Sequence, residues 1–160
     1  MATNLVFDIS KAEIWNTVTK QYDDLGVTKG GATFSQTVNT MDITDDQDSD
    51  ALASIILEAP KTLKLNLLNA SPENLALAFG GTAASDTVSI PSLVTGKTKK
   101  IKVTTKAVNG YKYEIEIKNA FITCESEITL SNADAATLAL TIEVLASDDD
   151  KPVTMKKVAE

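Results

Sequence analysis

Stretches in which apolar and polar residues alternate with period two recur along this chain, the signature of strands with one face on a core and one in water. From Lys61 to Asn69, Leu63, Leu65 and Leu67 face one way and Lys64 and Asn66 the other. Tyr111, Tyr113, Ile115 and Ile117 alternate with Lys112, Glu114, Glu116 and Lys118. Ile122, Cys124, Ser126, Ile128 and Leu130 oppose Thr123, Glu125, Glu127 and Thr129, which predicts one unbroken strand. Leu138, Leu140, Ile142 and Val144 oppose Ala139, Thr141 and Glu143, and Ile101 and Val103 oppose Lys100 and Lys102. Residues 1–9 add a short apolar strand ahead of the one that carries Trp15. The prediction is a mainly β protein of antiparallel sheets.

One segment breaks the pattern. Ser71 is an N-cap residue, Pro72 suits the first helical position, and Glu73 suits the positive end of the helix dipole. Leu75, Ala76 and Phe79 make a short apolar stripe and Gly80-Gly81 stops it, so a helix is predicted over about residues 72–79. Residues 39–51, with Asp42, Asp45, Asp46, Asp48 and Asp50, read instead as a long acidic loop. Residues 147–160, with Asp148, Asp149 and Asp150 followed by Lys-Pro-Val-Thr-Met, read as an extended C-terminal arm, and residues 1–9 as an N-terminal arm or strand. No repeat and no interdomain linker is visible, so the 160 residues are expected to form a single domain.

Composition narrows the chemistry. The chain has no His and no Arg, one Cys, 15 Lys and 22 Asp plus Glu, for a net charge of −7. Lack of His excludes an imidazole triad, metal site or proton shuttle. Lack of Arg excludes a bidentate guanidinium clamp on phosphate or guanine, and the acidic balance repels nucleic acid at long range. A lone Cys124 allows no intrachain disulfide; in phase with Ile122 and Ile128, it is expected to be a small buried hydrophobe. No signal peptide is expected at the N-terminus and no membrane span along the chain. Asn69-Ala70-Ser71 matches a glycosylation sequon but lacks a secretory route.

Three arrangements come near to chemistry and miss. Gly96-Lys97-Thr98 ends like a phosphate-binding loop, yet Pro91 stands where the first Gly is needed and an alternating strand follows where a helix is required. Asp46, Asp48 and Asp50 have calcium-loop spacing, but Ala51 replaces the obligatory Gly and Leu57 the bidentate Glu. Lys97, Lys99, Lys100, Lys102 and Lys106 lack interleaved aromatics, so they read as a solvated strand face or as charge partners for acidic loops of a neighbouring copy. Trp15 reads equally as a core or interface anchor and as a ligand platform. No catalytic residues, cofactor or metal ligands are predicted, and an enzyme has little support. A competing reading from another class is a monomeric β-sandwich binding module, for carbohydrate for example. Such sites present aromatic platforms, whereas this chain has one Trp and three Tyr, two of the latter on one apolar strand face.

The order of these elements resembles a known family. Asp24-Leu25-Gly26-Val27-Thr28-Lys29-Gly30-Gly31-Ala32-Thr33-Phe34-Ser35 followed by an acidic segment is similar to the opening of bacteriophage major tail, or tail tube, proteins. So are Leu63 to Asn69 running into Ser71-Pro72-Glu73-Asn74-Leu75-Ala76 with a glycine stop, and the closing strand Ala139 to Ala146 with its acidic turn. The resemblance implies a tail-tube-type β-sandwich or barrel with one helix. It implies self-assembly into rings, commonly hexameric, stacked as the hollow tail tube of a long-tailed phage or of a phage-derived injection or secretion system. It further implies a tape-measure protein, a tail terminator and a baseplate hub as partners, and genome DNA passing through the lumen without specific binding. The protein would be made in the host bacterial cytoplasm and end in the virion. Residues 39–51 are then expected to be an inter-subunit loop, and residues 1–9 and 147–160 to contact neighbours.

Overall fold

The computed structural model describes residues 3–45, 50–130 and 136–160. Fourteen strands and one helix follow in chain order: β1 Thr3–Phe7, β2 Ile9–Asn16, β3 Gln21–Asp24, β4 Thr28–Gln36, β5 Asn39–Thr44, β6 Ala51–Glu58, β7 Lys61–Leu67, α1 Pro72–Phe79, β8 Thr82–Ala84, β9 Thr87–Ser89, β10 Lys97–Thr105, β11 Tyr111–Ile122, β12 Glu127–Thr129, β13 Thr137–Val144 and β14 Val153–Ala159. The main sheet runs β1-β4-β7-β13-β11-β10-β2-β3, with β12 beside β13 and β14 beside β11. All its pairings are antiparallel. The sheet curls so that β2 and β4 meet, and the Leu25 amide, just past β3, extends the β2–β3 ladder by donating to the Ala12 carbonyl at 2.8 Å. Two separate hairpins, β5–β6 and β8–β9, stand off it.

Alternation places the core. Leu63, Leu65 and Leu67 of β7, Ile101 and Val103 of β10, Ile115 and Ile117 of β11, and Leu138, Leu140 and Ile142 of β13 are at most 2% exposed. β11 is the spine. It pairs with β10 along one edge, with β14 along the first part of its other edge, and with β13 from Ala120 onward. The change of partner falls where the β10 register slips between Ile101↔Ile117 and Lys99↔Ala120, leaving one extra residue on β11. At that bulge Asn119 Nδ2 donates to Ala146 O at 2.8 Å and the Lys118 ammonium pairs with Asp149, pinning the turn before β14.

Helix α1 spans the predicted residues and has the predicted caps. Ser71 Oγ accepts from the Asn74 amide at 3.2 Å, and Gly80 closes the helix in the left-handed region at φ +69°. Its buried face differs from the predicted stripe: Asn74, Ala76, Leu77 and Ala78 are buried, while Leu75 and Phe79 are half-buried. Asn74 sits inward because its Nδ2 donates to the carbonyls of Leu25 and Asn69 at 2.8 and 3.0 Å, tying the helix to two loops.

Three further expectations change. The strand read from Ile122 to Leu130 is broken: β11 stops at Ile122, Cys124 is left-handed at φ +62°, and pairing resumes in β12. Ile122 faces Ile142 and Ile128 faces Leu138, so two residues are looped out between them. An even insertion keeps the inward phase, which is why the pattern looks continuous. Gly30 and Gly31, both at positive φ, loop out two residues of β4 against β7 in the same way. The acidic segment is not a loop throughout, because residues 39–44 are strand β5, paired with β6. Thr40-Met41-Asp42-Ile43-Thr44 alternates as the core strands do, and β-branched residues favour the extended form. Residues 153–159 are no free arm either. They form β14 on β11 of their own chain, with Val153 opposite Ile117 and Met155 opposite Ile115.

Candidate assembly surfaces

Every residue of β5 and β6 is exposed, so the rest of the chain covers neither face of this hairpin. Met41 stands opposite Ile55 and Ile43 opposite Ala53, which puts these four on one face; Thr40, Asp42, Ser54 and Ile56 share the other. Asp42 accepts a hydrogen bond from the Ser54 hydroxyl. Asp45 follows β5 and Asp50 precedes β6, both exposed; Asp46 and Asp48 lie outside the described residues. Among the described residues, no three His, Cys, Asp or Glu side chains gather as metal ligands would.

A second exposed surface continues the core face of β11 past the core. Tyr111 and Tyr113 lie in phase with buried Ile115 and Ile117, yet each is 46% exposed. Met155 on β14 is exposed beside them, and the Lys157 ammonium lies 3.8 Å from the Tyr111 ring centroid. The strand pattern alone puts these tyrosines on the core side. What it does not show is that the hairpin turning at Asn109-Gly110, both at positive φ, extends beyond the core.

The lysines proposed as charge partners are mostly engaged within their own chain. Lys97 Nζ donates to Gly81 O at 2.8 Å and Ala76 O at 3.5 Å, a cation on the carbonyl end of α1. Lys100 pairs with Glu116 at 3.2 Å and Lys102 with Glu13 at 3.3 Å. Lys100 lies over the Trp15 ring and Lys102 over the Tyr22 ring, at 5.5 and 4.4 Å. Lys99 is half-buried beside Trp15 in a surface recess, in no ion pair among the described residues. The cause of this pairing is register. β10 lies between β2 and β11, and Lys102 stands opposite both Glu13 and Glu116.

Glu13 is only 7% exposed. Burial works against its charge, but the ammonium groups of Lys11 and Lys102 outweigh it and hold the carboxyl below the ordinary value. Burial, with the Glu116 carboxylate next, raises the Tyr22 hydroxyl. Trp15 and Tyr22 meet edge to face at 5.0 Å with lysines over them, so they present no flat platform for a sugar ring. A recess of about 500 Å³ beside Gly80, Gly81 and Pro91 has Lys97 as its one ionisable lining residue, and that group is already bound to the helix end.

These features define a β-rich assembly subunit: a sound core, no catalytic constellation among the described residues, and strands and apolar side chains left without cover. The profile of the phage tail tube protein family matches residues 3–156, and the chain belongs to that family. It is a structural subunit of a phage-type tail, a component of phage or phage-like particles. No curated protein matches it. Its fold is similar to that of a chain in the tail of an empty gene transfer agent particle refined with C6 symmetry, at 9% identity and a TM-score of 0.55, covering 93% of this chain and 95% of that one. It is also similar to a chain of the virion of a native gene transfer agent particle, at 11% identity and a TM-score of 0.51, covering 93% and 96%. None of the described helices is long and apolar enough to cross a membrane.

Proposed function

We propose that this chain forms rings of six that stack into a hollow tail tube, the conduit through which DNA leaves the particle. The observation that carries the reading is the exposed β5–β6 hairpin within a family of tube proteins, since a strand pair with both faces wet is marginal alone. Six-fold symmetry is supported by the C6 tail to which the fold is similar. Ring contacts of this type are heterologous, one surface of a copy meeting a different surface of the next, and a rotation that closes makes a ring.

The subunit works without catalysis, as an interaction protein. Residues 39–51, of which 39–44 form strand β5, serve as the inter-subunit arm that carries Asp42, Asp45, Asp46, Asp48 and Asp50, while residues 1–9 and 147–160 contact neighbours. A tape-measure protein in the lumen, a tail terminator at one end and a baseplate hub at the other complete the tail. Net negative charge without Arg disfavours tight phosphate contacts and suits a wall along which DNA slides. Helical reconstruction of tubes grown from this chain tests the proposal. Six copies per ring around an open lumen are expected; solid fibres, or rings of another order, contradict it.

A further inference from the structure

The two uncovered apolar surfaces, the β5–β6 hairpin and the end of β10–β11–β14, differ in charge, and that difference selects a pairing. Residues 39–58 hold six acids and no lysine, so nearly all of the chain's net charge of −7 lies in the hairpin. Two hairpins brought face to face would repel each other. Tyr111, Tyr113 and Met155 share their face instead with Lys157, which is in no ion pair among the described residues, while Lys112, Glu114 and Lys156 fall on the other face of the sheet. Tyrosine with a methionine neighbour is the composition of interface anchors, and contiguous exposed apolar surface marks an interaction site.

We infer that the hairpin face carrying Met41, Ile43 and Ile55 seats, in the assembled tube, on the Tyr111–Tyr113–Met155 surface of another copy of this chain. The acidic hairpin then meets that copy's Lys157, which lies on the tyrosine face. The contact is heterologous, so each copy has one hairpin to give and one surface to receive, and the contact propagates from copy to copy. It rests on the reading of the chain as a self-assembling subunit and assigns the surfaces that meet.

Cross-linking of single-cysteine variants in a Cys124→Ser background tests the assignment. Ile43→Cys and Met155→Cys chains are mixed, allowed to assemble, and treated with a short bis-maleimide. The expected product is the mixed dimer, much stronger than either self-cross-linked dimer. A dominant Ile43→Cys homodimer means hairpins meet each other, and a dominant Met155→Cys homodimer means the tyrosine surfaces do; either overturns the assignment. A within-chain link in the double variant without the mixed dimer also overturns it, because the hairpin then folds onto its own chain. If either variant fails to assemble, Ile55→Cys with Tyr111→Cys repeats the measurement. Wild-type tubes by electron microscopy without mixed dimers from either pair refute the docking and leave the tube function standing. Absence of wild-type rings and tubes removes both.

Discussion

Gly80 shows how much one residue fixes locally. It ends α1 at φ +69°, and a Cβ there would meet Cys124 Sγ at 2.9 Å and Val94 Cβ at 3.2 Å. Left-handed backbone costs an L-residue about 1–2 kcal/mol before any clash. Gly80→Ala is therefore expected to lower stability by at least about that amount, read as a lower urea midpoint at unchanged slope. Glu13 sets a pH dependence. With the folded carboxyl held below its ordinary value of 4.5, its contribution is complete above that pH and disappears as pH falls through the lowered value. Glu13→Gln should thus be less stable than the parent at pH 7, with the gap closing in urea titrations taken below about pH 4.5. Residue-level signals were legible where they act within one turn, as at Ser71, Pro72 and Gly80. Cys124 was not: its left-handed backbone depends on the register in which β11 and β12 meet β13, which no pattern within one strand encodes.

At the scale of elements, period-two alternation identified β7, β10, β11 and β13 because each has a core face. It did not register the two-residue bulges at Gly30-Gly31 and around Cys124, since an even insertion leaves every later side chain on its original face. The β5–β6 hairpin was hidden for a different reason. β5 alternates, but five aspartates from Asp42 to Asp50 dominate any reading by composition, and β6 is a nearly continuous apolar run with no period of two. The lysines of β10 were legible as a strand face, but their carboxylate partners on β2 and β11 were not, because sequence spacing carries no register between distant strands. Excising residues 42–50 separates the hairpin's role from folding. The core draws nothing from β5 or β6, so circular dichroism and the thermal midpoint are expected to stay near the parent's while tube growth is lost. Normal tubes from the deleted chain, seen by electron microscopy, would contradict the arm assignment.

For the whole molecule, the main sheet ends at β1 and β3 and leaves an edge of β14 unpaired within the described residues. Open edges invite pairing with another chain, and a closed ring of identical copies covers them. The family resemblance read from the strand, capped helix and acidic turn agrees with the match over residues 3–156. The most direct measurement is sedimentation velocity of the purified chain over a wide concentration range, with the fastest material imaged in negative stain. A 17.0 kDa species is expected to give way, as concentration rises, to ring-sized particles and hollow tubes. A 17.0 kDa species at every concentration, with no tubes on the grid, would contradict it.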